Sequence, residues 1–167
     1  MLTVVQAFDR APIAEIETDD AAALERKLQA AGRVFADRDG WLKPHRRIAI
    51  LRKLAALMEG RRDHLAMQIA REGGKPLPDA IIAENRWAFT TKEPIGIVAA
   101  ISAFNHPLNL IVHQVAPAIA VGCPVIVKPA ITTPLSCLDF VALVREAGLP
   151  EPWCQTFITQ DNELAEK

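Results

Sequence analysis

Tyrosine is absent from this chain of 167 residues, and aromatic residues together make up only 5% of it. Proteins that hold single-stranded nucleic acid stack bases on aromatic rings set in a basic groove. No basic run here is interleaved with aromatics. Lys and Arg total 19 against 20 Asp and Glu, a net charge of −1. So even a balance sets up no field to draw in nucleic acid or an anionic membrane. Cysteine is scarce. Cys123, Cys137 and Cys154 are odd in number and lack Cys-x-x-Cys spacing, which argues against a disulfide framework and a zinc site. His106 and His113 have no ligand partner at metal-binding spacing and read as surface or packing residues. No apolar run is long enough to cross a bilayer, because Leu108–Val127 is interrupted by His113, Gln114, Pro117 and Pro124. The start, Met-Leu-Thr-Val-Val-Gln and then Asp9-Arg10, lacks a basic n-region and a small-residue cleavage site. A cytoplasmic location is expected, with neither nucleic acid nor membrane as a partner.

What is present is ordinary globular material: half the residues are hydrophobic and 23% are charged. The length suits one domain, able to bury about 68–70% of its unfolded surface. The first half reads as helix. Thr18 can cap a helix whose apolar face is Leu24, Leu28 and Ala31. Pro44 suits the first turn of a second helix, where a missing N–H costs nothing. Ile48, Leu51, Leu54 and Met58 form its apolar stripe. Arg46, Arg47, Arg52, Lys53, Arg61 and Arg62 read as a solvated basic face. A third segment carries Leu65, Ile69 and Ala70 after Gly60, and Glu72-Gly73-Gly74-Lys75-Pro76 is a firm break. Gly73-Gly74-Lys75 lacks the spacing of a phosphate loop. A short helix is expected around Pro78–Asn85.

After Lys92 the pattern changes. Pro94–Ile101 is nearly continuous apolar sequence, as expected of a strand buried on both faces. Ser102–Pro107 is a turn, Leu108–Val121 a helix stopped by Gly122, and Pro124–Lys128 a second strand. Pro134–Ala147 is a helix with Gly148 at its end, and Gln155–Thr159 a third strand. Alternating strand and helix implies parallel pairing with right-handed crossovers. The expected fold class is therefore α/β, a helical N-terminal region (1–92) followed by a Rossmann-like β-α-β-α-β core (93–167).

Ligands of open parallel sheets bind beyond the carboxyl ends of the strands. Two such exits are visible, Ser102–Pro107 and Lys128–Pro134, each followed at once by a helix whose N-terminus favours negative charge. Asn105 can donate two hydrogen bonds and Lys128 three. Taken alone, Asn105 reads as a helix cap and Lys128 as a solvated charge.

The motifs change that weighting. Glu93-Pro94-Ile95-Gly96 through Ile101-Ser102-Ala103-Phe104-Asn105-His106-Pro107 resembles the strand and Phe-Asn-x-Pro turn of the aldehyde dehydrogenase superfamily. Ala116–Ala120, Gly122–Ala130 with Lys128-Pro129, Thr133-Pro134-Leu135-Ser136 and Glu146–Pro150 follow in that family's order, and Gly73–Leu77 matches upstream. The resemblance implies a partial cofactor-binding domain and oxidation of an aldehyde to an acid with NAD or NADP. In such enzymes a cysteine thiolate attacks the aldehyde, and a glutamate assists hydrolysis of the thioester. It implies that Asn105 donates to the oxyanion. It also implies that Lys128 holds the ribose hydroxyls, and that Ile101, Ser102, Ala103, Phe104, Ala130 and Ile131 contact the cofactor.

Three departures qualify this. The family's glycine turn, catalytic glutamate and nucleophilic cysteine lie beyond the matched motifs, and none of the three cysteines replaces the nucleophile by motif. So a single incomplete cofactor-binding domain without the catalytic domain is expected, inactive alone. Pro78–Lys92 is shorter than the family segment, which carries a long helix and part of the hairpin used in oligomerisation. Trp87–Thr91 reads as its remnant, which weakens the expectation of the family's homo-oligomer. Ile131 stands where NAD-preferring members often carry a glutamate, leaving NADP open. A non-catalytic nucleotide-binding or protein-interaction module on the same fold is the alternative reading.

Overall fold

In the computed structural model, which describes residues 1–73 and 94–165, the chain opens with a hairpin. Strands β1 (Leu2–Val5) and β2 (Pro12–Ile16) pair antiparallel, with Leu2 opposite Ile16. Leu2 and Val4 point inward and Thr3 outward, the alternation that lets one strand face be buried. Asp9 accepts from the Ala11 amide at 3.0 Å, and Arg10 takes a left-handed conformation at φ 63°. Strands therefore open a region expected to be helical from its start. The hairpin turn relies on a non-glycine residue in a region glycine normally fills.

Helix α1 (Ala21–Ala36) is capped by Asp20, whose carboxylate accepts from the Ala23 amide at 2.7 Å. Thr18, the expected cap, instead accepts from the amino terminus at 3.3 Å. Helix α2 (Pro44–Gly60) begins at its proline as expected and buries Ile50 and Leu54, while Ile48 stays 49% exposed. The apolar stripe is therefore rotated from the one predicted. Arg47 leaves the solvated basic face, donating to the Leu42 carbonyl at 3.0 Å. Helix α3 spans Arg62–Gly73. The helix expected at Pro78–Asn85 and the Trp87–Thr91 remnant lie outside the described residues.

The core is a three-stranded parallel sheet of β3 (Val98–Ile101), β4 (Val125–Lys128) and β5 (Cys154–Thr156), ordered β3-β4-β5. Helix α4 (Pro107–Val121) joins β3 to β4, and α5 (Leu135–Glu146) joins β4 to a single 3₁₀ turn (Glu151–Trp153) and β5. A short helix α6 (Asn162–Ala165) follows. Both long helices stop at a left-handed glycine. After α4, the Gly122 amide donates to Ile119 and the Cys123 amide to Ala118. After α5, Gly148 donates to Arg145 and Leu149 to Val144. These are paired six-to-one and five-to-two bonds that satisfy the last carbonyls of each helix.

One sheet face, with Ala100, Val125, Val127 and Cys154, packs under α4 and α5, and α2 and α3 lie over those helices. Phe140 and Ile111 are fully buried there. The other face is covered by α1 over β4 and β5: Lys27 Nζ donates to the Thr156 carbonyl and Gln155 Nε2 to the Lys27 carbonyl. β3 departs from the expected double burial. On that second face Ala99 is exposed, and Ile97 and Ile101 are 36% and 57% exposed.

Candidate functional site at the strand exits

Ile101 and Lys128 stand opposite each other as the last residues of neighbouring parallel strands. The ladder runs one step further, because the Ser102 amide donates to the Lys128 carbonyl at 3.0 Å. Gln114 of α4 donates to the Ile101 carbonyl at 2.9 Å and ties the helix to the exit. Two of the resemblance-implied positions are thus held side by side by backbone alone.

Beyond Ile101 the chain turns outward. Ser102 is buried and directs its hydroxyl to the Ala103 carbonyl, while Ala103, Phe104 and Asn105 are exposed. The N-cap of α4 is His106, which makes no side-chain cap bond, and Pro107 is the first helical residue. Asn105 therefore lies just ahead of the helix and does not cap it. Among the described residues its amide is engaged by no hydrogen bond. A free amide before a helix N-terminus adds a directed donor to a region that already favours negative charge.

Beyond Lys128, Pro129 is buried and the Thr133 amide donates to the Ala130 carbonyl at 3.1 Å, closing a turn before α5. Lys128 is half-buried, and among the described residues its ammonium makes no ion pair or hydrogen bond. The implied site residues divide between two cavities. Ile101 and Lys128 share an apolar cleft of about 200 Å³ with Ile97, Ile126, Leu24 and Leu28. Phe104 and Ile131 share a cavity of about 420 Å³ with Thr133, Glu72 and Val4 of the hairpin. Ala130, half-buried, sits in the turn between them.

All three thiols are buried. Burial pushes the Cys154 thiol up to about 12, and burial, with Cys154 and Glu72 nearby, pushes Cys137 higher still. A nucleophile needs the thiolate, so these two sites are chemically quiet. Among the described residues no cluster of His, Cys, Asp or Glu could hold a metal ion.

One buried group lies outside the expected site residues. Glu72, 3% exposed at the end of α3, accepts from the Leu135 and Ser136 amides, each at 2.8 Å, and from the Ser136 hydroxyl. Burial pushes its carboxyl above the usual range, against the pull of those hydrogen bonds. The signal was there. A carboxylate in the last turn opposes its own helix dipole, so it calls for a partner outside the helix.

The model of the aldehyde dehydrogenase family matches residues 1–84 and 78–167. The chain belongs to this family. It is 30% identical to a 3-sulfolactaldehyde dehydrogenase of Priestia megaterium over 196 aligned positions, covering 99% of this chain and 40% of that one. It is 34% identical to an NADP/NAD-dependent aldehyde dehydrogenase of Escherichia coli, covering 88% and 35%. The chain thus spans well under half the length of these relatives. An alignment longer than the chain itself, with two family matches meeting at residues 78–84, fits a shortened internal segment there. Among solved structures, aldehyde dehydrogenase C of Pseudomonas syringae, a C291A mutant complexed with NAD+ and octanal, superposes with TM-score 0.86 at 30% identity, covering 98% of this chain and 38% of that one. A succinate-semialdehyde dehydrogenase of Burkholderia pseudomallei gives 0.86 at 29% identity, with 98% and 39% covered. The α/β architecture is that of the N-terminal part of these aldehyde dehydrogenases.

Proposed function

We propose that this chain supplies one wall of the cofactor site, and one oxyanion donor, of an NAD(P)-dependent aldehyde dehydrogenase. The observation that carries the reading is the convergence of Lys128 and the Ser102–Asn105 turn at adjoining strand exits, with both polar side chains uncommitted. The residues fit a dinucleotide. Lys128 offers three donors to ribose hydroxyls at the mouth of an apolar cleft. Ile101 adds apolar surface to that cleft, Phe104 and Ile131 line the neighbouring cavity, and Ser102, Ala103 and Ala130 offer backbone along the two strand exits. When bound, NAD or NADP supplies the hydride acceptor. Asn105 serves the aldehyde oxygen, where negative charge develops on nucleophilic attack. Loss of one such donor costs about 2.7–4 kcal/mol of barrier. Ile131 stands where NAD-preferring relatives often carry a glutamate, so NADP stays open beside NAD.

The substrate class is a small aldehyde, the expected compartment is the cytoplasm, and no nucleic acid or lipid surface is implied. Among the described residues no helix is long and apolar enough to cross a membrane. The isolated chain is expected to be inactive, since its thiols are buried. Calorimetry with NAD+ and NADP+ tests the reading. Wild type should bind at least one, and Lys128→Ala should weaken binding about tenfold, the worth of a single good hydrogen bond to a charged group. Failure of both nucleotides to bind sinks the cofactor role. Aldehyde-dependent NAD(P)H formation by the 167-residue chain would overturn the expected inactivity. Among the described residues β3 ends the sheet, and an open sheet edge favours an interaction module as the second reading. A monodisperse monomer that binds NADP counts against it.

A further inference from the structure

We propose that Glu72 is a positioning residue that clamps the start of α5 and so fixes the Lys128–Thr133 turn. The functional meaning of that turn rests on the cofactor reading above. The turn is anchored upstream by the sheet, through the Ser102 amide on the Lys128 carbonyl, and internally by Thr133 on Ala130. Downstream its anchor comes from outside. Pro134 is the N-cap of α5 and makes no side-chain cap bond. Glu72 takes over that task, Oε2 receiving the Leu135 amide and Oε1 both the amide and the hydroxyl of Ser136.

The electrostatics favour this arrangement over an incidental contact. At the end of α3 the carboxylate opposes its own helix, whereas at the start of α5 it meets the positive end of another. It is buried, so each hydrogen bond counts for more than on a surface. Glu72 also lines the same cavity as Phe104, Ile131 and Thr133. The clamp therefore borders the cavity that two implied cofactor contacts also line. Asp139, further along α5, acts against it by like charge. That leaves the three donors as the groups holding the carboxylate in place.

Glu72→Gln keeps the shape but turns one acceptor into a donor facing an N–H. Ser136→Ala removes the hydroxyl alone and is the milder perturbation should the first fail to fold. Residue-resolved hydrogen exchange and the dissociation constants of NAD+ and NADP+ are measured on the whole chain. Glu72→Gln should speed exchange about tenfold at residues 130–136 and weaken nucleotide binding by a similar factor. Protection of Ile111–Ile119 in α4 should stay at the wild-type level. Ser136→Ala should shift the same amides in the same direction, by less. Three outcomes overturn the proposal: unchanged exchange at 130–136 in both variants, equal acceleration in α4 and α5, or a loosened turn with undiminished nucleotide affinity. If wild type binds neither nucleotide while the turn still loosens, the cofactor reading fails and the clamp on the turn stands.

Discussion

Replacing Gly122 with alanine puts a methyl group into a backbone at φ 92° and against the guanidinium of Arg47, whose Cζ would lie 3.2 Å away. Two costs add. A left-handed conformation for an L-residue costs roughly 1–2 kcal/mol. Displacing Arg47 breaks its bond to the Leu42 carbonyl, worth about 1.5 kcal/mol for a charged donor that is partly solvated. A gain of about 0.4–1 kcal/mol from the stiffer unfolded chain offsets part of this. The net loss of about 1.5–3 kcal/mol should lower the melting temperature by about 3–12 °C in a domain of this size. Melting followed by circular dichroism gives the total, and a cycle with Arg47→Ala divides it. In the Arg47→Ala background the glycine substitution should cost only the left-handed term, about 1 kcal/mol after the offset. Equal costs in both backgrounds would refute the steric half of the argument. A melting temperature unchanged within about one degree would refute both halves.

Phe140→Ala empties a fully buried position on α5 and should cost about 3–5 kcal/mol in urea unfolding, with the slope unchanged. A loss below about 1 kcal/mol would mean that the surrounding layer is not packed as described. Cys137 and Cys154 should resist a thiol reagent at neutral pH and react once urea unfolds the chain; rapid labelling of either in the folded state contradicts their burial. The Cys154 thiol sits at about 12 when folded against an ordinary 9.0. Its stabilising contribution is therefore full below about pH 9 and is lost as pH rises towards 12. Cys154→Ser should flatten that alkaline limb of a stability-against-pH curve.

The parallel sheet was legible because its punctuation is chemical. Pro44 starts α2, Gly122 and Gly148 end α4 and α5, and Pro129 follows the last residue of β4, all where backbone rules put them. The site was legible as motif and placement, since a polar residue after a buried strand marks a sheet exit. Less local features were not. The β1–β2 hairpin is too short for its alternation to stand out, and its turn uses Arg10 where a reader looks for glycine. The face that α2 buries is set by α4 and α5, so Ile50 displaced Ile48 for reasons absent from α2 itself. β3 reads as fully buried because its composition is apolar, yet only one of its faces is covered. Glu72 makes its bonds 63 and 64 positions away, where no periodicity reaches.

The bond between Asp19 and Ile158, mutual through the Asp19 amide and carboxylate, has a consequence for synthesis. Its partners are 139 positions apart, and Lys27 waits similarly for the Thr156 carbonyl, 129 positions on. At about 5–20 residues per second, the ribosome leaves α1 without these partners for roughly 6–28 s. Helix α1 thus leaves the ribosome well before the strand it docks against. Until then its inward face stands open, where a chaperone would meet it.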